Sequence, residues 1–230
     1  MYERELIIRK KLEELSEENY KLFSQKIIPN CDNIIGVRIP IIRKLALEII
    51  KDKPLEFLKY SHNEIYYEEV MLKCIIIGNL KEDIYIILEQ IEIILPKITN
   101  WSLCDTLCCE LKIVKKYKEI LWDKLNDYIK TNKPYYIRFS IVIMLNYYIN
   151  NKYLTKLFNI FELVDNQDYY VRMAIAWAVS KCYTEFRNET INYLKNSTLD
   201  NFTYNKSLQK ITESLKVSKE EKEYIKSMKR

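Results

Sequence analysis

Two indoles, a carboxylate and a guanidinium stand at related positions in this chain: Trp101, Asp105, Arg138 and Trp177. A carboxylate can stabilise a growing positive charge, an indole face attracts a cation by ~0.5–2 kcal/mol, and a guanidinium grips anionic oxygens. Their relation is one of phase. Tyr135-Tyr136-Ile137-Arg138 is echoed 34 residues later as Tyr169-Tyr170-Val171-Arg172, and steps of 34 or 35 residues also reach Trp101, Tyr66 and Tyr204. On helices starting at 66, 101, 135, 169 and 204, Trp101 has phase 0, Arg138 phase 3, Asp105 phase 4 and Trp177 phase 8. At about 100° per residue these positions share roughly 140° of arc on three successive helices and are expected to face one groove. Plainer readings exist for each. Trp177 lies in the apolar run 173–179 and suits a core, Asp105 can pair with Lys112 or Lys116, and Arg138 and Arg172 can tie neighbouring repeats.

The elements that must carry these residues are helices. The chain has 230 residues and 2 glycines, Gly36 and Gly78, which disfavours tight hairpins, GxGxxG loops and Walker loops. Apolar residues make up 48% of it, ample for a core. Between the phased helices lie others with a 3.6-residue apolar period, such as Ile84, Ile87, Ile91 and Leu154, Leu157, Phe161. Paired helices recurring at this interval predict an α-α solenoid of the HEAT, armadillo or tetratricopeptide kind. Pro40 and Pro134 suit first helical positions, Asn100 and Asp168 suit N-caps, and Ser218 with Glu221 suits a capping box. Gly36 reads as the approach to the Pro40 helix and Gly78 as a helix C-cap. No Gly-, Pro- or Ser-rich linker divides the chain, so one domain over 1–230 is expected: capping helices over 1–60, repeats over 61–217 and a last helix over 218–230.

Charge and cysteine usage set further bounds. There are 37 Lys and Arg against 32 Asp and Glu, a formal net charge of +5, which permits phosphate binding without demanding it. Abundant Ile, Lys, Asn and Tyr also fit an AT-rich coding bias. The start of the chain lacks the apolar stretch of a signal peptide, and no run reaches the ~18 apolar residues of a membrane span, so a cytoplasmic location is expected. The 6 cysteines then read as buried thiols. His62 is the only histidine, which removes His-based triads, and with no CxxC pair neither a metal nor another cofactor is expected.

The stretches Gly36-Val37-Arg38-Ile39-Pro40 with Ile42-Arg43-Lys44-Leu45, then 99–105 (TNWSLCD), Tyr136-Ile137-Arg138, Ala174-Ile175-Ala176-Trp177 and the basic segment Lys206 to Lys210 resemble, in order and spacing, the DNA alkylation repair family of HEAT-like repeat alkylpurine DNA glycosylases. The resemblance runs over nearly the whole chain. It implies an all-α, right-handed superhelical solenoid of HEAT/armadillo-like repeats with N-terminal capping helices. It also implies a base-excision repair enzyme, a hydrolase that removes cationic N3- or N7-alkylated purines from double-stranded DNA without flipping the base. Within it Asp105 would be the catalytic carboxylate, Trp101 and Trp177 would embrace the deoxyribose and phosphate, and Arg138 would hold the backbone near the lesion. Arg38, Arg43, Lys44, Arg172, Lys206 and Lys210 are the expected backbone contacts. Lys115, Lys116 and Lys118, with the terminal Lys226, Lys229 and Arg230, read as solubilising charges. The alternative is a non-catalytic HEAT-repeat binder of branched or distorted DNA, and a protein-binding scaffold ranks last. A monomer suffices for any of these.

Overall fold

A computed structural model describes residues 3–230. Among them every regular element is helical: fourteen α-helices and two short 3₁₀ turns, joined by brief connections. Contacts gather into two units, one ending at Tyr117 and the other starting at Lys118.

In the first unit, α1 (Glu3–Glu14) and α2 (Glu18–Ile27) precede α3 (Ile39–Ile50), α4 (Pro54–Tyr60), α5 (Tyr67–Gly78), α6 (Ile84–Ile94) and α7 (Trp101–Glu110). Helices α3, α5 and α7 pack on one another in turn. The stack thus starts inside the segment expected only to cap it. Helix α5 is buried along its whole length, which suits its run Val70 to Ile77. Helix α3 instead buries one stripe, Ile42, Leu45, Ala46 and Ile49, at the i, i+3, i+4, i+7 spacing of an amphipathic helix. Pro40 lies in its first turn, and the side chain of Asn100 caps α7 by accepting the Ser102 and Leu103 N–H groups.

The loop before α3 is held from beneath by Glu68 on α5. This carboxylate accepts the backbone N–H groups of Ile35, Gly36 and Val37 at 3.2, 2.8 and 3.2 Å. Burial pushes its pKa above the usual carboxylate range, against the pull of those three donors. All three donors reach Oε1, with Ile35 shared with Oε2 at 3.2 Å, so Glu68→Gln keeps the main acceptor and should cost about 1 kcal/mol in denaturant titration, whereas Glu68→Leu strands three donors and should cost about 2–3 kcal/mol. Equal losses for the two variants would show that volume, not hydrogen bonding, is what matters there.

The second unit repeats the scheme with α8 (Lys118–Lys130), α9 (Pro134–Tyr147), α10 (Leu154–Leu163), α11 (Tyr169–Glu185), α12 (Arg187–Asn196), α13 (Asn201–Glu213) and α14 (Lys219–Ser227). Here α9, α11 and α13 stack. The fully buried Ala174, Ala176 and Ala178 of α11 take little room between its neighbours. Asp168 caps α11 through the Tyr170 and Val171 N–H groups, and the capping box of Ser218 and Glu221 forms at 3.2 and 2.8 Å. Three starts differ from the sequence reading: α5 begins at Tyr67 and α9 at Pro134, each one residue from the expected Tyr66 and Tyr135, and α13 begins at Asn201, not Tyr204, because the Asp200 carboxylate accepts the Phe202 and Thr203 N–H groups and starts the helix earlier.

The phased helices thus start at Tyr67, Trp101, Pro134, Tyr169 and Asn201. Two other expectations need correction. Gly78 is the last residue of α5 and Asn79 is the C-cap, so Gly78 serves not as a left-handed cap but as a contact point: a Cβ there would lie 2.2 Å from Cβ of Glu110. Cysteines 31, 74, 104, 108 and 182 are buried, but Cys109 is exposed.

Candidate nucleic-acid site

In the first unit, α7 carries Trp101 and Asp105 one turn apart and so on one face. Both line a cavity of about 250 Å³ whose other walls include Tyr20 and Ile27 of α2 and Arg43 of α3. The Trp101 indole is oriented by a bond from Nε1 to the Ile27 carbonyl at 3.1 Å. Behind it, Tyr67 Oη and Ser102 Oγ share a 2.8 Å hydrogen bond that ties α5 to α7. Arg43 is held by Glu110, which accepts from Nε and Nη2 at 3.1 and 2.8 Å. Arg38 grips Glu17 in a two-bond fork at 2.8 and 2.9 Å and stacks over the ring of Tyr20 at 5.0 Å. The Arg38–Glu17 pair lies at the surface, where such an ion pair is worth about 0–1 kcal/mol, so Arg38 can be drawn to a phosphate at small cost. Glu110 is largely buried, so drawing Arg43 away would leave its carboxylate with the Asn79 amide and costs more. Lys44 is exposed on α3.

Cys109 also lines this cavity. Burial, together with the charges of Asp105 and Glu110, holds its thiol above the ordinary pKa. At neutral pH it is therefore an uncharged wall rather than a nucleophile. Tyr20 is the wall residue that sequence reading missed: it sits outside the phased helices and is one of 19 tyrosines, so nothing in its spacing distinguishes it.

The second unit carries the remaining candidates. Within the apolar run of α11 the neighbours of Trp177 are buried, but Trp177 itself is 41% exposed and is not a core residue. It lines a cavity of about 320 Å³ with Lys181, Lys210 and Lys216, and Lys210 donates to Glu213 at 2.7 Å. Arg138 is buried, 6% exposed, with Nη1 donating to the Tyr170 carbonyl at 2.7 Å and its guanidinium 5.9 Å from the Tyr170 ring. That geometry is a tie between α9 and α11. Arg172 likewise reaches α13, 4.2 Å from the Phe202 ring and 3.8 Å from Asp200. Lys206 donates to Gln209 at 2.9 Å and lines a separate groove.

Among the described residues no group of three His, Cys, Asp or Glu side chains could hold a metal ion, and no helix is long and apolar enough to cross a membrane. What the fold and cavities define is an all-α protein of stacked helices whose chemistry-bearing side chains, aromatic, acidic and cationic, project from helix faces. The family described as DNA alkylation repair enzyme matches residues 8–212, and the chain belongs to that family. Among curated proteins no match is found.

Proposed function

We propose that this DNA alkylation repair enzyme is a monofunctional glycosylase that releases cationic N3- or N7-alkylpurines from duplex DNA by hydrolysis. The observation that carries this reading is the pairing of Trp101 and Asp105 in one cavity with Tyr20 and Arg43. An alkylated purine that already bears positive charge is a good leaving group and requires no strong general acid, which accords with a cavity that contains no histidine. As the bond from C1′ to the purine nitrogen breaks, its electron pair leaves with the base, which departs neutral, and positive charge grows on the sugar. Asp105 would stabilise that charge, orient a water towards C1′ and accept the proton the water loses. The Trp101 face would add cation–π attraction of about 0.5–2 kcal/mol. In the second unit Trp177, with Lys210 beside it, offers an indole and an ammonium to sugar and phosphate.

Because the charge that drives the reaction sits on the lesion itself, the base can be expelled without being flipped into an enclosing pocket. HEAT-like repeats fit the recurrence of the phased helices and belong to the same proposal. Methylated duplex DNA incubated with the wild-type protein should release 7-methylguanine or 3-methyladenine and leave abasic sites, read by chromatography of the free bases. No release, together with salt-sensitive binding to junction DNA, would replace the enzyme with a non-catalytic binder of branched or distorted DNA.

A further inference from the structure

A larger cavity, about 510 Å³, lies in the second unit between α13 and α14, away from Trp177. Its wall on α13 combines the apolar Phe202 and Leu208 with a stripe of neutral polar residues, Asn201, Gln209 and Thr212, at spacings that keep these three on one helix face. At 1.5 Å per residue the stripe runs about 16 Å, the axial length of about five phosphates on one DNA strand at 3.4 Å each. Three ammonium groups border it, Lys206 from α13 and Lys226 and Lys229 from α14, and no carboxylate is among its lining residues. Lys226 donates to Glu223 at 2.7 Å, but that pair is largely exposed and opens at little cost.

Helix α14 is anchored rather than loose. Ile225 is fully buried, and Arg187 pairs with Glu221 at 2.9 Å. Arg230, far from being a mere solubilising charge, lies 3.8 Å from the Tyr204 ring and donates to the Ser197 and Leu199 carbonyls at 2.7 and 3.3 Å. Its backbone N–H also donates to Asn205 at 3.0 Å. The helix that carries Lys226 and Lys229 is thereby held in place, so that only their side chains have ordering entropy to lose when an anion binds.

From this we propose that the α13–α14 groove is a backbone-binding track for duplex DNA, in which Lys206, Lys226 and Lys229 neutralise successive phosphates and Asn201 donates to a sugar or phosphate oxygen, while Gln209 and Thr212 can do so only on leaving Glu213 and the Gln209 carbonyl, to which they donate at 2.8 Å each. The inference rests on DNA as the partner of the protein, not on base excision. Two of its three cations lie beyond residue 212, where the family match ends. A groove bordered by lysines, with the neighbouring carboxylates Glu213 and Glu223 each paired to a lysine, contributes affinity without sequence preference.

The test is fluorescence anisotropy with an undamaged labelled duplex between about 50 and 200 mM salt, using the full chain. The double variant K226A/K229A should bind about 5- to 20-fold more weakly at the low-salt end, and the slope of log affinity against log salt should become shallower by about 1.8, the value for two phosphate contacts. K226R/K229R should retain both quantities. The double variant K115A/K116A removes the same charge from an exposed site in the first unit and should move them far less. A K226A/K229A protein that matches wild type in affinity and slope, or a K115A/K116A protein that loses as much, overturns the proposal; melting temperatures check that all variants are folded. If wild type binds and the slope drops as stated but no base is released, the glycosylase reading fails and the groove stands. Base release by wild type together with an unchanged slope in the variant removes the groove alone.

Discussion

The Asp105→Asn protein should release 7-methylguanine from methylated duplex about 10²- to 10³-fold more slowly than wild type in single-turnover reactions, a loss of about 2.7–4 kcal/mol of transition-state stabilisation. The substitution keeps the size and one carbonyl acceptor of the side chain, so the cavity walls around Trp101 and Arg43 should stay in place. On the proposed mechanism it removes the negative charge that would face C1′ and the group that would take the proton from water. Binding to a duplex containing an abasic analogue should therefore change by no more than a few-fold, because the analogue carries no developing charge. A second readout is independent of turnover: the Asp105 charge helps hold the Cys109 thiol above its usual pKa, so its removal should make exposed Cys109 react faster with iodoacetamide at a given pH. Faster labelling with unchanged base release would show that the charge sits where the structure puts it and yet does not serve catalysis. A variant that releases base at the wild-type rate removes Asp105 from the mechanism.

The residues differ in how much of their role could be read from sequence. Helix starts were legible because they rest on local chemistry: Asn100 and Asp168 bond to N–H groups two and three residues on, and Ser218 with Glu221 closes within one turn. Asp200 follows the same rule, but the repeat interval points to Tyr204, three residues beyond the start that its cap sets. Trp177 was ambiguous for a physical reason. An apolar run on a helix buried on two sides carries no clean period, so which of its side chains stays exposed depends on what α9 and α13 leave uncovered. Arg138 shows a different limit: its recurrence with Arg172 at the repeat interval suggests a tie between neighbouring repeats, but the particular acceptor, the Tyr170 carbonyl, belongs to another helix and is fixed only by the fold. Cys109 and Tyr20 likewise acquire meaning only from the neighbours that fold around them.

Gly36→Ala is expected to lower stability by about 4 kcal/mol, or to lower the melting temperature by about 8–16 °C for a chain of this size. Two costs combine. Gly36 has φ +93°, a region that an L side chain enters only with strain of about 1–3 kcal/mol. Its missing Cβ also marks a close approach: a methyl group there would lie 2.4 Å from the Glu17 carbonyl oxygen and 2.7 Å from the Lys21 nitrogen, backbone atoms of α2 and its start that cannot swing aside. Relief of that overlap requires α2 to move, at a further cost of about 1–3 kcal/mol, and would stretch the 3.0 Å bond by which the Glu17 N–H reaches the Gly36 carbonyl. The same helix brings Tyr20 to the cavity and supplies the Ile27 carbonyl that orients Trp101. Loss of stability and loss of function should consequently be coupled at this position, with base release reduced even at temperatures where the variant is fully folded. Since Glu68 grips the same loop from α5, Gly36→Ala combined with Glu68→Leu should cost less than the sum of the two alone, because a loop already displaced has fewer bonds left to lose. Strict additivity in that double-mutant cycle would mean that the glycine and the carboxylate act on separate parts of the structure, and that the Gly36 loop does not position α2 through Glu68.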